Sequence, residues 1–135
     1  MYVLTGRHSN PRALAELAPR LEPKRSAEGY ATTDRERTRA LFAPLLGDVF
    51  PGEWHHCALA IIWPNGTIPP HEDGASEFRQ RFMLVLQSNP GSWVWHDGDW
   101  QQLEEGGIYT ADPSKTHAAL NWGSEPRIHF VVDVK

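Results

Sequence analysis

Apolar and polar residues change their period about a third of the way along the chain. Up to about residue 50 the spacing is helical, with Leu14, Leu17, Ala18 and Leu21 recurring on one side. Asn10 followed by Pro11 supplies an N-cap and first-turn pair, and Pro19 and Pro23 interrupt the pattern. A second helix is predicted from Thr33, with Glu36 completing a capping box, to about Leu46, where Gly47 ends it. Beyond residue 54 the period is two. Strands are predicted at His56–Ile62, Ile68–Asp73, Arg81–Gln87, Trp93–His96, Trp100–Leu103, Gly107–Thr110, Thr116–Asn121 and Arg127–Val134. Turn residues separate nearly all of them: Pro64-Asn65-Gly66, Asn89-Pro90-Gly91, Gly106-Gly107 and Asp112-Pro113 among others. Asp97-Gly98, between tryptophan-rich flanks, marks a tight hairpin.

About eight short strands at regular spacing favour a jelly roll or barrel over an open sheet. Their faces are divided in an informative way. In the last strand Ile128, Phe130, Val132 and Val134 share one side, and Arg127, His129, Val131 and Asp133 the other. Phe82, Leu84 and Leu86 oppose Arg81, Met83, Val85 and Gln87, while His117, Ala119 and Asn121 oppose Ala118, Leu120 and Trp122. A plain sandwich would leave the mixed faces in water. With two amphipathic helices available, the apolar faces are instead expected to pack on helices. Arg81, His117, Asn121, Arg127 and His129 then converge on a polar pocket inside the roll. The expectation is one domain over 1–135, with a helical part at 1–50 and a β core at 54–135.

Composition narrows the partners. With 135 residues, 40% hydrophobic and 22% charged, the chain has ordinary globular composition and no disorder signature. A formal charge of −4 argues against a nucleic-acid partner, which calls for a basic stripe. Cys57 is the single cysteine, so no internal disulfide and no zinc ribbon can form, and it reads as a small buried hydrophobe. The longest apolar run, Cys57 to Trp63, is too short to span a bilayer, and the N-terminus lacks a secretory pattern. No membrane partner and a cytoplasmic setting are expected; the pattern leaves the oligomeric state open.

The candidate chemistry starts at His71-Glu72-Asp73. In an extended segment residues i and i+2 point the same way, so His71 and Asp73 can share an ion while Glu72 faces elsewhere. A lone His-x-Asp arises often by chance. A later histidine, His117, completes a two-histidine, one-carboxylate set, which suits non-haem Fe(II) and leaves positions free for co-substrates. Arg127 follows ten residues later. A buried arginine in an apolar strand calls for an anionic ligand or an internal carboxylate, and Asp133 on the same face is the internal candidate. His129 reads either as a co-substrate contact or as a hydrogen-bonded core histidine, and Asn121 as a pocket residue or a strand end. His96 is expected to be exposed, His55-His56 to be a chance adjacency, and Glu77 and Arg79 to be loop charges near the entrance. Trp93, Trp95 and Trp100 are expected to pack across the hairpin.

From about Ile62 to Val134 the chain resembles the aspartyl/asparaginyl β-hydroxylase family of 2-oxoglutarate oxygenases. The matching stretches are Pro64-Asn65-Gly66-Thr67-Ile68-Pro69-Pro70-His71, Arg81 before an apolar strand, Glu105-Gly106, and Arg127-Ile128-His129-Phe130-Val131-Val132-Asp133. The resemblance implies a mainly β fold, a double-stranded β-helix of jelly-roll, cupin-like form; the two N-terminal helices, which it does not cover, are expected to pack on the outside. It implies Fe(II) held by His71 and His117, with Asp73 supplying a carboxylate ligand that some members lack. It implies 2-oxoglutarate as co-substrate, clamped by Arg127, with Arg81 handling a carboxylate of substrate or co-substrate. The implied reaction is hydroxylation of a C–H bond in an Asp or Asn residue of a peptide, or in a free amino acid. Two positions depart from the family: Met83, where a histidine is frequent, and Ala60, where a serine is common. Two other readings use the same roll: a non-catalytic module binding a small anion, and a metal-dependent cupin enzyme that does not use 2-oxoglutarate.

Overall fold

The computed structural model describes residues 1–74 and 80–135. In it the period-two region forms two antiparallel sheets laid face to face. The elements in chain order are β1 (Val3–Arg7), α1 (Pro11–Ala15), a 3-10 turn (Ala18–Leu21), β2 (Tyr30–Thr32), α2 (Arg35–Leu46), β3 (Trp54–Ile62) and β4 (Thr67–His71). There follow β5 (Gln80–Gln87), β6 (Ser92–His96), β7 (Asp99–Gln101), β8 (Gly107–Thr110), β9 (His117–Asn121) and β10 (Arg127–Val134). The larger sheet runs β1-β8-β5-β10-β3-β2 and the smaller β4-β9-β6-β7. Strands that pair are mostly distant in sequence, which is the wrapping of a double-stranded β-helix.

The division of faces explains where the core sits. Ile128, Phe130, Val132 and Val134 turn away from the smaller sheet and join Leu59, Leu84, Leu86, Phe42, Leu46 and Phe50 in one apolar cluster. Leu14, Ala15, Ala18 and Leu21 close that cluster from the N-terminal side. Phe130 and Phe42 are fully buried and touch at 5.4 Å between ring centroids; burying each contributes roughly 1.5–3 kcal/mol. A second, smaller cluster lies between the sheets and includes Ile62, Met83, Val85, Val94, Tyr109 and Ala119. Helices therefore cover the apolar face of the large sheet, and its mixed face looks inward.

The N-terminal third differs from the expectation in two respects. It contains two strands, β1 and β2, that add the outer edges of the large sheet by pairing with β8 and β3. Such pairing partners lie far along the chain, so no local period announces them. The second helix also starts one residue later than its capping box suggests. Asp34 is the N-cap and accepts from the Arg37 amide at 2.8 Å. Thr33 is occupied elsewhere: its Oγ1 accepts from the Leu59 amide at 2.8 Å and pairs with Thr38 Oγ1 at 2.7 Å.

The hairpin at Asp97-Gly98 forms as read, with both residues in the left-handed region (φ 47° and 95°) and His96 opposite Asp99. That is the backbone a two-residue type I′ turn needs. Another close approach joins Gly66 to Gly29: a Cβ on Gly66 would stand 2.2 Å from the Gly29 carbonyl oxygen. This contact pins the turn that leads into β4. Among the described residues no helix is long and apolar enough to cross a membrane.

Candidate metal centre

Three histidines form one rung across the smaller sheet. His71 on β4 pairs with His117 on β9, and His117 pairs with His96 on β6. Ile68 and His71 both face the interior although they are three apart, because the pairing shifts between them, at Pro69-Pro70. A proline cannot donate to the ladder, and an edge strand tolerates the resulting irregularity. The shift thus sets His71 beside His117, with ring centroids 4.2 Å apart.

Asp73 lies just past the end of β4, so an unbroken strand is not what aligns it with His71. Its amide donates to the Pro113 carbonyl at 3.0 Å. Its carboxylate lies 3.7 Å from His71 Nε2 and 3.3 Å from His117 Nε2. The donor atoms of all three residues fall within 4.8 Å of one another. Metal–ligand bonds of about 2.1 Å at right angles put neighbouring donors ~3 Å apart, so a small contraction would suffice. Each imidazole is tied behind: His71 Nδ1 to the Pro69 carbonyl at 2.8 Å, His117 Nδ1 to the Lys115 carbonyl at 2.7 Å. A proton on Nδ1 satisfies each carbonyl and leaves Nε2 as the free lone pair, the arrangement metal-ligating histidines use. The residues present fit a divalent metal.

Electrostatics agree with that donor set. The hydrogen bond with His117 holds the Asp73 carboxyl well below the usual carboxylate range; burial opposes this and Arg81 reinforces it. Burial is the largest influence and works against a charged His117, yet its bonds to Asp73 and the Lys115 carbonyl, with the Asp73 charge, together outweigh the penalty and raise it. Thr116 Oγ1 donates to Glu72 at 3.1 Å, which keeps Glu72 out of the cluster.

The large sheet supplies the floor of the cavity. Across β5, β10 and β3 the inward rows are Arg81–Asp133–His56, then Met83–Val131–Ala58, then Val85–His129–Ala60, with Arg127 beside Ile62 beyond them. The space enclosed is about 570 Å³ and is lined by Arg81, His117, Arg127 and His129 together with His71 and Asp73. That volume lies within the roughly 300–1,000 Å³ of small-molecule pockets. Arg127 is 2% exposed. Its Nη2 donates to the Ala60 carbonyl at 3.3 Å, and among the described residues its Nε has no partner. Burial depresses Arg127 to about 10, and among the described residues no carboxylate counters it. His129 is buried beside it; burial first, and the Arg127 charge second, hold it well below an ordinary imidazole.

Several sequence expectations need correction. Asp133 does not pair with Arg127, because six residues of extended chain separate them by about 20 Å. It stands directly opposite Arg81 and accepts from that guanidinium at 2.8 and 3.2 Å. Arg81 also donates through Nη1 to Asp73. Arg81 lines the cavity, but its fork is committed to the protein's own carboxylates rather than left for a ligand. Asn121 has the inward parity expected, yet it does not line the cavity. Its amide nitrogen donates to the Ile62 and Glu125 carbonyls, and its oxygen accepts from Asn89 and the Gly123 amide. All its hydrogen-bonding capacity closes the far end of the roll.

His96 is buried rather than exposed, since Ser92, Val94 and His96 form the inward face of β6. Its Nε2 contacts the Asp112 carbonyl at 2.8 Å. The alternation was readable there, but the large Trp93 and Trp95 draw attention to the opposite, outward face. Trp95 pairs with Trp100 across the hairpin as expected. Tyr2 was not foreseen at all. It lines the cavity just ahead of β1, its backbone exchanges hydrogen bonds with the Gln101 side chain, and its ring lies 5.2 Å from His96. Burial raises the Tyr2 phenol, which also feels the charges of Arg127, Arg81 and Asp73. Glu77 and Arg79 lie outside the described residues.

Fold and site together define a cupin-like roll with a two-histidine, one-carboxylate set inside it. Residues 27–135 match the aspartyl/asparaginyl beta-hydroxylase family. The chain belongs to that family. No curated protein matches it. Among solved structures it is similar to a Cupin 2 conserved barrel domain protein from Salinispora arenicola, at 12% identity and TM-score 0.53, covering 86% of this chain and 83% of that one. A predicted oxalate decarboxylase from Thermotoga maritima is similar at 12% identity and TM-score 0.51, over 78% and 77% of the two chains. The Escherichia coli ribosomal oxygenase YcfD is similar at 17% identity and TM-score 0.53, over 78% of this chain and 31% of that one. At these identities the structural likeness speaks for the fold alone.

Proposed function

We propose that the protein is an Fe(II)- and 2-oxoglutarate-dependent oxygenase that hydroxylates a C–H bond. The observation that carries this reading is Arg127, a buried guanidinium with no carboxylate partner among the described residues, sharing one cavity with the His71, Asp73 and His117 donors. A buried unpaired charge is costly, and a dicarboxylate that reaches it while chelating a metal would relieve that cost. Bound there, Fe(II) and 2-oxoglutarate would supply the oxidising chemistry, with dioxygen converting the keto acid to succinate and carbon dioxide and a substrate C–H to C–OH.

The chain's own residues have separable tasks in this reading. His71, Asp73 and His117 hold the ion. Arg127 takes the distal carboxylate through a planar fork, which a lysine could not match. Met83, Val131, Val94, Ala58 and Ala60 wall the cavity and exclude water. Met83 offers an apolar surface where a family histidine is frequent, and Ala60 contributes its carbonyl to Arg127 rather than a side-chain hydroxyl. The substrate class is the one the family name carries, an Asp or Asn side chain in a peptide or a free amino acid.

Anaerobic titration of the Fe(II)-loaded protein with 2-oxoglutarate tests the reading through the weak visible charge-transfer band of chelation. The band is expected in the wild type, absent in His117→Ala, and shifted to at least tenfold higher 2-oxoglutarate in Arg127→Ala. Bound iron without a band would point to a metal cupin that does not use the keto acid. Anion binding without bound metal would point to a binding module.

A further inference from the structure

The two histidines of the metal set are each anchored by a main-chain carbonyl, but Asp73 is not anchored in that way. It follows the last residue of β4, and the residue after it, Gly74, has open space where a Cβ would stand. Among the described residues its backbone tie is the amide bond to Pro113 described above. What holds its carboxylate is Arg81 Nη1, which donates to Oδ2, the oxygen that also faces His117, and leaves Oδ1 toward His71. Arg81 in turn sits in the middle of the large sheet, cross-strand from Asp133, which takes Nε and Nη2 at 2.8 and 3.2 Å. The Asp133 side chain is 5% exposed, that of Arg81 22%, and that of Asp73 36%, so the chain of charges runs from the core to the cavity. Resting on the metal-site reading above, we propose that Arg81 is a positioning residue for the metal centre, clamped by Asp133 so that it aims the Asp73 carboxylate at the ion shared with His71 and His117.

Charge counting shows why Asp133 belongs to the device. An arginine alone beside Asp73 would cancel the negative charge that makes it a ligand. With Asp133 on the other side, the three residues keep a net charge of −1. Asp73 then stays an anionic donor while remaining fixed, and one of its oxygens is free for the ion. Residues that hydrogen-bond a metal ligand and hold it in place are typically worth about 10–100-fold in metal affinity. The family resemblance had given Arg81 a carboxylate of substrate or co-substrate; here its carboxylates come from the protein itself.

Co(II) titration followed by its visible d–d absorption, with melting temperature measured on the same samples, tests the proposal. Wild type is expected to bind Co(II). Arg81→Gln should weaken that binding about 10–100-fold and alter the band shape, and Arg81→Lys should recover part of the loss. Asp133→Asn, which keeps the side-chain shape, should weaken it in the same direction and so answers the question if Arg81→Gln fails to fold. A merely structural role would lower the melting temperatures and leave the Co(II) affinity of the folded variants within twofold of wild type; that result overturns the proposal. Failure of the wild type itself to bind Co(II) would overturn the metal-site reading and this inference with it.

Discussion

His129 shows how much a single inward-facing residue can say about conditions. It sits next to Arg127 on the cavity floor, 2% exposed, and burial together with the neighbouring charge keeps it neutral. In the unfolded chain an imidazole takes up a proton below about pH 6.5. The folded protein refuses that proton until far lower pH. The unfolded state therefore binds more protons across that interval, so stability rises with pH there and falls as pH drops from about 6.5. The slope from one such group is at most about 1.4 kcal/mol per pH unit. Urea denaturation between pH 6.5 and 5 is expected to show this limb in the wild type and a flatter one in His129→Gln. Equal slopes would mean that His129 accepts its proton without difficulty. Arg127 and His129 were both legible as inward residues from the parity of one strand. The sequence left an anionic ligand or Asp133 as the counterpart of Arg127; Asp133 shares its face about 20 Å away and instead stands opposite Arg81. A face is visible in sequence; the neighbour across the sheet is not.

At the scale of elements, the strands of the β core were legible because each carries its own alternation, and the helices because each carries a stripe. Strands β1 and β2 were not, since β1 is an exposed edge with little pattern and β2 is three residues long. The consequence for the site is Tyr2, which reaches the cavity just ahead of a strand that nothing local predicts. Thr33 makes the same point in a different way. Its sequence context suits a cap, but the helix begins after it, and its hydroxyl serves the large sheet instead. Thr33 is buried and its Oγ1 is the acceptor for the Leu59 amide. Replacement by the isosteric valine leaves that buried amide without its side-chain acceptor, at a cost of about 1–3 kcal/mol. Chemical denaturation should show that loss, with the metal site's Co(II) affinity unchanged; a cost below about 0.5 kcal/mol would mean that the hydroxyl is dispensable there.

The whole molecule divides its chemistry between two layers. His71 and His117 belong to the four-stranded sheet, while Arg81, Arg127 and Asp133 belong to the six-stranded one. The layers meet along their mixed faces, where the apolar contact is the smaller of the two clusters. A metal alone would load chiefly the smaller layer and the end of Arg81. A metal with an anion reaching Arg127 would span the gap like a strut between two plates. Amide hydrogen exchange reads that mechanical difference. On adding metal, slowing is expected around β4 and β9; on adding metal with 2-oxoglutarate, slowing should extend to β10 and β3 on the far plate, even though among the described residues no strand pairing joins the two. Protection confined to one layer would mean that the ligand rests against a single wall. On the first outcome, the protein's resistance to shear between its sheets becomes a property of what it has bound, and an empty and a loaded copy of the same fold would differ in stiffness before they differed in shape.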